Sequence, residues 1–479
     1  MTWLERISAI HERSRRPAVI DESGTVTGRE LLGKAVGASE LLVGLDVHAG
    51  CPVPALLTTN ADALALLLGG AAADRPLAPL GPRQTPAELA EPVRRSGSSV
   101  ILAEAPFMET ARQVADLAGI RAMTVPSLPI SHRRLQEEGG PTAIYLHTAG
   151  TTGVPKRISL SEHVLDVRAE LLRGLIELNP DDRYATGSPL HHIGGLGNIM
   201  VALTVGAAVI PTNKFSFDWW GALSHLNATH CLLVPTMIEM LLDRGLLDTV
   251  RLKTLVYGAS PITVATLRRV LDVLPDVAMV NLYGQTEGSP ITSLGPDEHR
   301  WATKEDPNLL ATVGRPVPGL QLKIDDPDGA GVGEVLAAAE HLSNQAADGW
   351  LHTGDLGVVD GDGYLRLCGR RHDMVVRGGE NIYPLEVENV LTAHPEIAAA
   401  GVVGVPDARL GETLAAFVVP TDWAHPPRSE ELRSFARATL AGFKVPQYWY
   451  TVEELPLNSA GKVLRAALRS MHADRQRSG

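Results

Sequence analysis

The sequence predicts an α/β protein: a large N-terminal region of two sheet-based α/β lobes plus a small β-rich section, then a small C-terminal α+β domain. The boundary falls between residues 1–369 and 370–479. Three observations predict it. Short apolar runs of strand length alternate with helical patterns along most of the N-terminal region, as in parallel sheets covered by helices on both faces. After about residue 312 the pattern becomes short strands broken by turn-forming runs such as DDPDGAG and DGDG, typical of turn-rich β structure. Beyond Gly369 a compact tail mixes helical and strand patterns. At roughly 150 residues per domain, 479 residues leave room for about three folding units.

In chain order, Thr27 followed three residues later by Glu30 reads as a capping box opening a helix. Cys51–Leu57 (CPVPALL) reads as a buried strand, Ala61–Ala73 as an Ala/Leu-rich helix and Ser98–Ala103 (SSVILA) as another strand. Further strands are expected at Ala143–Leu146, His230–Pro235 and Leu252–Tyr257. The apolar run Asn198–Pro211 is shorter than the roughly 18 residues of a spanning helix and reads as a buried helix followed by a strand. In the tail, a helix begins near Pro384, with proline early and Val387, Val390 and Leu391 on one face. Strands Ala400–Val405 and Leu414–Val419 follow, and Ser429 is the expected cap of a helix with Leu432 and Phe435 inward.

Composition narrows the function classes. The formal net charge is −12, a sign that disfavours nucleic acid and anionic membrane surfaces as partners. Binding an anion such as ATP therefore requires a locally built phosphate site. Three widely separated cysteines, Cys51, Cys231 and Cys368, give neither a zinc pattern nor a disulfide framework. With a charged N-terminus lacking the apolar core of a signal peptide, they point to a cytoplasmic protein without a membrane span.

The most informative stretch is Tyr145–Lys156, YLHTAGTTGVPK. Glycines let successive N–H groups converge, threonines add hydroxyl donors and a lysine adds a point charge, the makings of a phosphate cradle. It is not a Walker A loop, because GxxxxGK[ST] is absent. Taken alone it is also compatible with an ordinary Gly/Thr turn. Five further segments stand in order behind it: NLYGQTE (281–287), GWLHTGD (349–355), Gly369-Arg370, GGENIYP (378–384) and LPLNSAGK (455–462). Together the six resemble the signature motifs of the adenylate-forming superfamily, closest to its acyl-CoA synthetases. The superfamily also includes aryl-CoA ligases, adenylation domains and firefly luciferase.

The resemblance implies the chemistry. A carboxylate attacks the α-phosphorus of ATP and expels pyrophosphate, and the acyl group then passes to coenzyme A. It implies ATP, Mg²⁺ and CoA as cofactor and cosubstrates, a small carboxylic acid as partner, and a C-terminal domain that moves between half-reactions. Thr148, Gly150, Thr151, Thr152, Gly153 and Lys156 are expected around the β/γ-phosphates. Glu287 and Thr152 are the implied metal residues, and Thr286 is expected at the α-phosphate. Tyr283 is implied to stack on adenine, with Asn281 at its exocyclic amine and Gly258, Ala259, Ser260 and Gly284 along the nucleotide. Asp355 and Arg370 are implied at the ribose. Lys462 is implied as the late catalytic lysine, and His192, in PLHHIGG (189–195), borders the acyl pocket. Gly378 and Gly379 are expected to flank the pantetheine arm. The pivot between poses falls at His372.

Three departures stand out: Ala149 replaces the usual serine, Arg157 the usual glycine, and the segment from Gly333 to Asp355 is short. The implied pocket walls, Ile193, Gly194, Val234, Thr236, Met237, Tyr257, Gly258, Ser260 and Pro290, are mostly apolar. No aspartate that could pair with an α-amino group stands in the His192 segment, so a fatty or aryl acid is favoured. Alternatives are a carrier-protein phosphopantetheine acceptor, an o-succinylbenzoate-type CoA ligase, luciferase-type oxidation and a non-catalytic nucleotide-binding homologue.

Overall fold

The computed structural model describes residues 1–136, 140–148, 155–343, 345–457 and 463–478. A nine-stranded sheet runs, from one edge, through Arg315–Pro316, Thr292–Leu294, Ala278–Tyr283, Thr254–Gly258, His230–Leu233, Arg183–Thr186, Ala208–Pro211, Pro17–Asp21 and Gly24–Thr27. Its central strands are parallel, and antiparallel strands stand at both ends. A six-stranded sheet orders Arg121–Thr124, Val100–Ala103, Val53–Leu56, Leu77–Leu80, Ile144–Thr148 and Lys156–Leu160. It is parallel except for the last pair. The complete burial of Val53–Leu56, Val100–Ala103 and His230–Leu233 reflects cover on both faces. One large core joins the two sheets through the Gly28–Val43, Ala61–Ala72, Glu162–Ile176 and Ile193–Val205 helices.

The β-rich section is a four-stranded antiparallel sheet, Gln321–Asp325, Gly333–Ala338, Leu351–Val359 and Leu365–Arg370. Past it, a five-stranded sheet holds Glu380–Ile382, Val375–Arg377, Gly411–Pro420 and Ile397–Asp407, with Tyr448–Thr451 beside Gly411–Pro420. It has its own core, centred on Val387, Leu391, Val402, Leu414 and Leu432.

Local expectations meet the structure with small adjustments. Thr27 and Glu30 form the capping box of the Gly28–Val43 helix. The Asn198–Pro211 run is the Ile193–Val205 helix and the Ala208–Pro211 strand. Ser429 is not a cap: it is the first residue of the Ser429–Thr439 helix. Arg428 precedes it, and its backbone N–H donates to Glu431 Oε2 at 2.9 Å, so the acidic residue closes the end without a hydroxyl. Leu432 and Ala436 are buried there, whereas Phe435 is half-buried edge-on to His394.

Candidate nucleotide and acyl site

The site is assembled where strands of three sheets end. Ile144–Thr148 and Lys156–Leu160 pair antiparallel, with Thr148 opposite Lys156, so they hold the two ends of the phosphate-loop sequence together. Gly150, Thr151, Thr152 and Gly153 lie outside the described residues. Lys156 Nζ stands 3.6 Å from Glu287 Oε1. The Glu287 side chain is 10% exposed and that of Lys156 57%, so the carboxylate is the fixed partner and the lysine the adaptable one.

Glu287 owes its position to backbone geometry. Gln285 N–H donates to Gly288 O at 2.8 Å and Gly288 N–H to Gln285 O at 3.0 Å, so Thr286 and Glu287 form the tip of a tight two-residue turn. A Cβ on Gly284 would sit 2.5 Å from Gly288 O, so only glycine lets the two sides close.

The Ala278–Tyr283 strand leads into this turn. Asn281 is buried, and its Oδ1 has no hydrogen-bond partner among the described residues. An orphaned buried acceptor is costly and fits an amine donor such as the adenine exocyclic amine. Tyr283, half-buried, donates its hydroxyl to Asp355 Oδ2 at 2.7 Å, while Arg370 Nε stands 2.7 Å from Asp355 Oδ1. Burial and the neighbouring carboxylate push the Tyr283 phenol well above its ordinary value, so it remains a donor. Asp355, midway along Leu351–Val359, and Arg370, the last residue of Leu365–Arg370, are cross-strand partners, which places this carboxylate–guanidinium pair beside Tyr283.

The Gly258-Ala259-Ser260 turn follows the Thr254–Gly258 strand. A Cβ at Gly258 would lie 2.3 Å from Leu282 O, so glycine brings this backbone against the next strand. Ala259 has φ +67°, an uncommon conformation for a residue with a side chain.

On the acyl side, His192 precedes the Ile193–Val205 helix as its N-cap residue and lies 4.3 Å from His191 between ring centroids. Burial, then His192 and Arg83, hold His191 down at about 3, so it is neutral. Met237 and Phe215 close over Gly187, where a Cβ would be 3.2 Å from Met237 Sδ. Tyr257, expected at a pocket wall, is fully buried. Its hydroxyl lies 2.8 Å from His299 Nε2, and His299 Nδ1 lies 2.7 Å from Gly295 O. A carbonyl only accepts, so Nδ1–H donates and Nε2 accepts from the phenol. The tyrosine oxygen is thus committed to the core.

Gly378 and Gly379, with φ +61° and +91°, make the two-residue link of a hairpin in which Arg377 faces Glu380. Paired positive φ is the type I′ requirement. Lys462 lies outside the described residues; the flanking Leu457 and Val463 form an antiparallel bridge. Arg157, where glycine is usual, lies over the Tyr145 ring and donates to Arg95 O.

Two arginines with long-range partners escape a reading by motif. Arg168, on the Glu162–Ile176 helix, is buried and donates to carbonyls beside Glu287. Its only signal is an arginine within the apolar period Val164, Leu165, Ala169, Leu172. Arg465 joins Glu388 and Asp373, a junction of segments far apart in sequence.

No group of three or more potential metal-ligating side chains occurs among the described residues. The donor set still fits Mg²⁺, which commonly takes one or two carboxylates and completes its shell with substrate phosphates and water. Among the described residues, no helix is long and apolar enough to cross a membrane.

Residues 8–344 match the AMP-binding enzyme family model and 386–462 its C-terminal domain model. The fatty acid–acyl-carrier-protein ligase ScoC of Streptomyces coeruleorubidus is 31% identical over 490 residues, covering 95% of this chain and 93% of that protein. The indoleacetate–CoA ligase of Aromatoleum aromaticum is 35% identical, covering 68% and 66%. The structure of o-succinylbenzoate CoA synthetase from Bacillus subtilis, in complex with its acyl-adenylate, superposes with a TM-score of 0.84 at 26% identity, covering 98% of each chain. Two family models in chain order and relatives along the whole chain lead to one conclusion: the chain belongs to the AMP-binding, adenylate-forming enzymes, as an AMP-forming acid–thiol ligase.

Proposed function

We propose that this enzyme activates an apolar fatty or aryl carboxylic acid as its acyl-adenylate and transfers the acyl group to CoA in the cytoplasm. The observation that carries the site assignment is that the Ala278–Tyr283 strand and the turn after it link two contact sets, Lys156 with Glu287 and Tyr283 with Asp355 and Arg370, with the orphaned Asn281 oxygen on the same strand. Thr148 and Lys156, with Gly150, Thr151, Thr152 and Gly153, hold the leaving β/γ-phosphates. Thr286 contacts the α-phosphate. A Mg²⁺ held by Glu287, with Thr152 alongside, would supply charge neutralisation on the phosphates. Asn281 accepts from the adenine amine while the Tyr283 ring covers the base, with Gly258, Ala259, Ser260 and Gly284 along the purine. Asp355, oriented by Arg370, accepts from ribose. A carboxylate oxygen of the acid bonds to the α-phosphorus as the bond to the pyrophosphate oxygen breaks. Lys462 donates to the oxygens that gain charge in that step. The thiolate then attacks the acyl carbon and AMP leaves, with Gly378 and Gly379 giving the thiol arm room and His192 beside the acyl carbon. The domains 1–369 and 370–479 carry the two sets of residues.

A carrier-protein thiol is the second reading, favoured by the 95% coverage of this chain by a carrier-protein ligase. The deciding experiment is AMP and pyrophosphate release across fatty, aryl and dicarboxylic acids, including o-succinylbenzoate, with CoA, with holo-carrier or with neither. Acyl-CoA from an apolar acid is expected. Transfer only to holo-carrier moves the assignment to the second reading, and a preference for a dicarboxylate overturns the apolar pocket. Pyrophosphate release abolished by Lys462→Ala, with thioester formation from supplied acyl-adenylate preserved, is expected; equal loss of both removes Lys462 from its assigned role.

A further inference from the structure

Arg168 is 4% exposed, and its fork of donors goes to backbone carbonyls. Nε donates to His341 O at 2.9 Å, Nη2 to Glu287 O at 2.9 Å and Nη1 to Thr286 O at 3.4 Å. The same Glu287 carbonyl accepts the Ser343 N–H at 2.7 Å, and His341 Nε2 lies 2.8 Å from Pro290 O. The guanidinium therefore clips the tip of the 285–288 turn to the 341–343 segment. Burying a cation on neutral carbonyls is expensive. Burial lowers its pKa to about 10, with the Glu287 carboxylate acting the other way, so it stays charged at neutral pH. A neutral side chain could fill the space, and a lysine could supply charge. Only a planar fork reaches three carbonyls from two segments at once.

We infer that Arg168 is a positioning residue for adenylation: it fixes the Thr286–Glu287 tip, and thereby aims the Glu287 carboxylate at the divalent cation that accompanies ATP. The inference rests on the site reading above, because it requires Glu287 to face that cation. Groups that orient a metal ligand usually matter by roughly 10–100-fold in metal affinity or activity, and the same range is expected here.

The test uses the full chain with Arg168→Lys and Arg168→Gln, and Glu287→Gln as reference. Hydrogen exchange at the Gln285, Gly288 and Ser343 amides reports the turn directly, without ligand. Calorimetric titration of ATP with and without Mg²⁺ reports the cation, and thioester formation from supplied acyl-adenylate reports the second half-reaction. Faster exchange in both Arg168 variants is expected, together with a Mg²⁺ requirement raised about 10-fold or more and a thioester step changed less than about twofold. Unchanged exchange and unchanged Mg²⁺ dependence in Arg168→Lys overturn the inference, as does equal loss of both half-reactions. If Arg168→Gln does not fold, Arg168→Lys decides, since it keeps the charge and loses only the fork. If Glu287→Gln leaves the Mg²⁺ dependence untouched, the metal assignment fails; the exchange readout still judges whether Arg168 holds the turn.

Discussion

Replacing Arg465 with methionine keeps most of the side-chain stem and removes the charge at the junction of the C-terminal sheet, its last helix and the segment after Arg370. Arg465 Nη1 and Nη2 donate to Glu388 Oε1 and Oε2 at 2.6 and 3.1 Å, and Nε stands 3.1 Å from Asp373 Oδ2. Nη1 also donates to the Val402 carbonyl. The three side chains are only 18%, 12% and 12% exposed. Burial opposes the Arg465 charge, but Glu388 and Asp373 outweigh it and its pKa is raised, so the guanidinium stays charged. Removing one partner of a buried pair typically costs about 3–5 kcal/mol. Arg469 Nη2, 3.7 Å from Asp373 Oδ1, remains as a partial partner, which places the expected loss near the low end, about 3 kcal/mol. Denaturant unfolding, with hydrogen exchange assigning the loss to residues 384–420, measures it. Most of the cost is stranded carboxylate, so adding Glu388→Leu to Arg465→Met should recover stability rather than add a second loss. A loss below about 1 kcal/mol, or simple additivity in the double variant, refutes the reasoning. Arg465 lies three residues past Lys462 and Asp373 one past His372, so adenylation should fall along with stability.

Gly258→Ala places a methyl 2.3 Å from Leu282 O and should cost about 1–3 kcal/mol, with a raised KM for ATP; wild-type melting and KM would contradict the strand contact. Gly379→Val meets no atom within 4 Å but must hold φ +91°. Thioester formation should slow more than adenylation, checked by assaying the two half-reactions separately, and the reverse order would refute the assigned loop role. Burial holds His299 and His147 at about 4 and His191 at about 3, against an ordinary 6.5. Below pH 6.5 the unfolded chain takes up protons that the folded chain refuses, so stability is full above 6.5 and falls toward pH 4. Each such group contributes a slope of at most about 1.4 kcal/mol per pH unit. His299→Gln, which keeps an acceptor for Tyr257, should make the measured pH slope shallower by one proton, and an unchanged slope would show that His299 titrates normally.

Some of this protein is fixed by local chemistry and is readable from the chain alone. The capping box at Thr27 and Glu30, the apolar strand runs and the glycine pair at 378–379 each depend on residues within a few positions of one another. The ordered motifs supplied the family. Local rules also failed locally: Ser429 carried cap chemistry, but the helix starts on it, because Glu431 already satisfies the preceding N–H. What only the tertiary structure decided are the contacts between distant segments. Arg168 meets Glu287 across 119 residues and His341 across 173, Tyr283 meets Asp355 across 72, and Arg465 meets Glu388 across 77. Tyr257, expected at a pocket wall, gives its hydroxyl to His299, 42 residues away. A buried charge or hydroxyl must find whichever partner the packed sheets bring to it, and sequence periodicity shows that a position is buried without showing which carbonyl or carboxylate waits there.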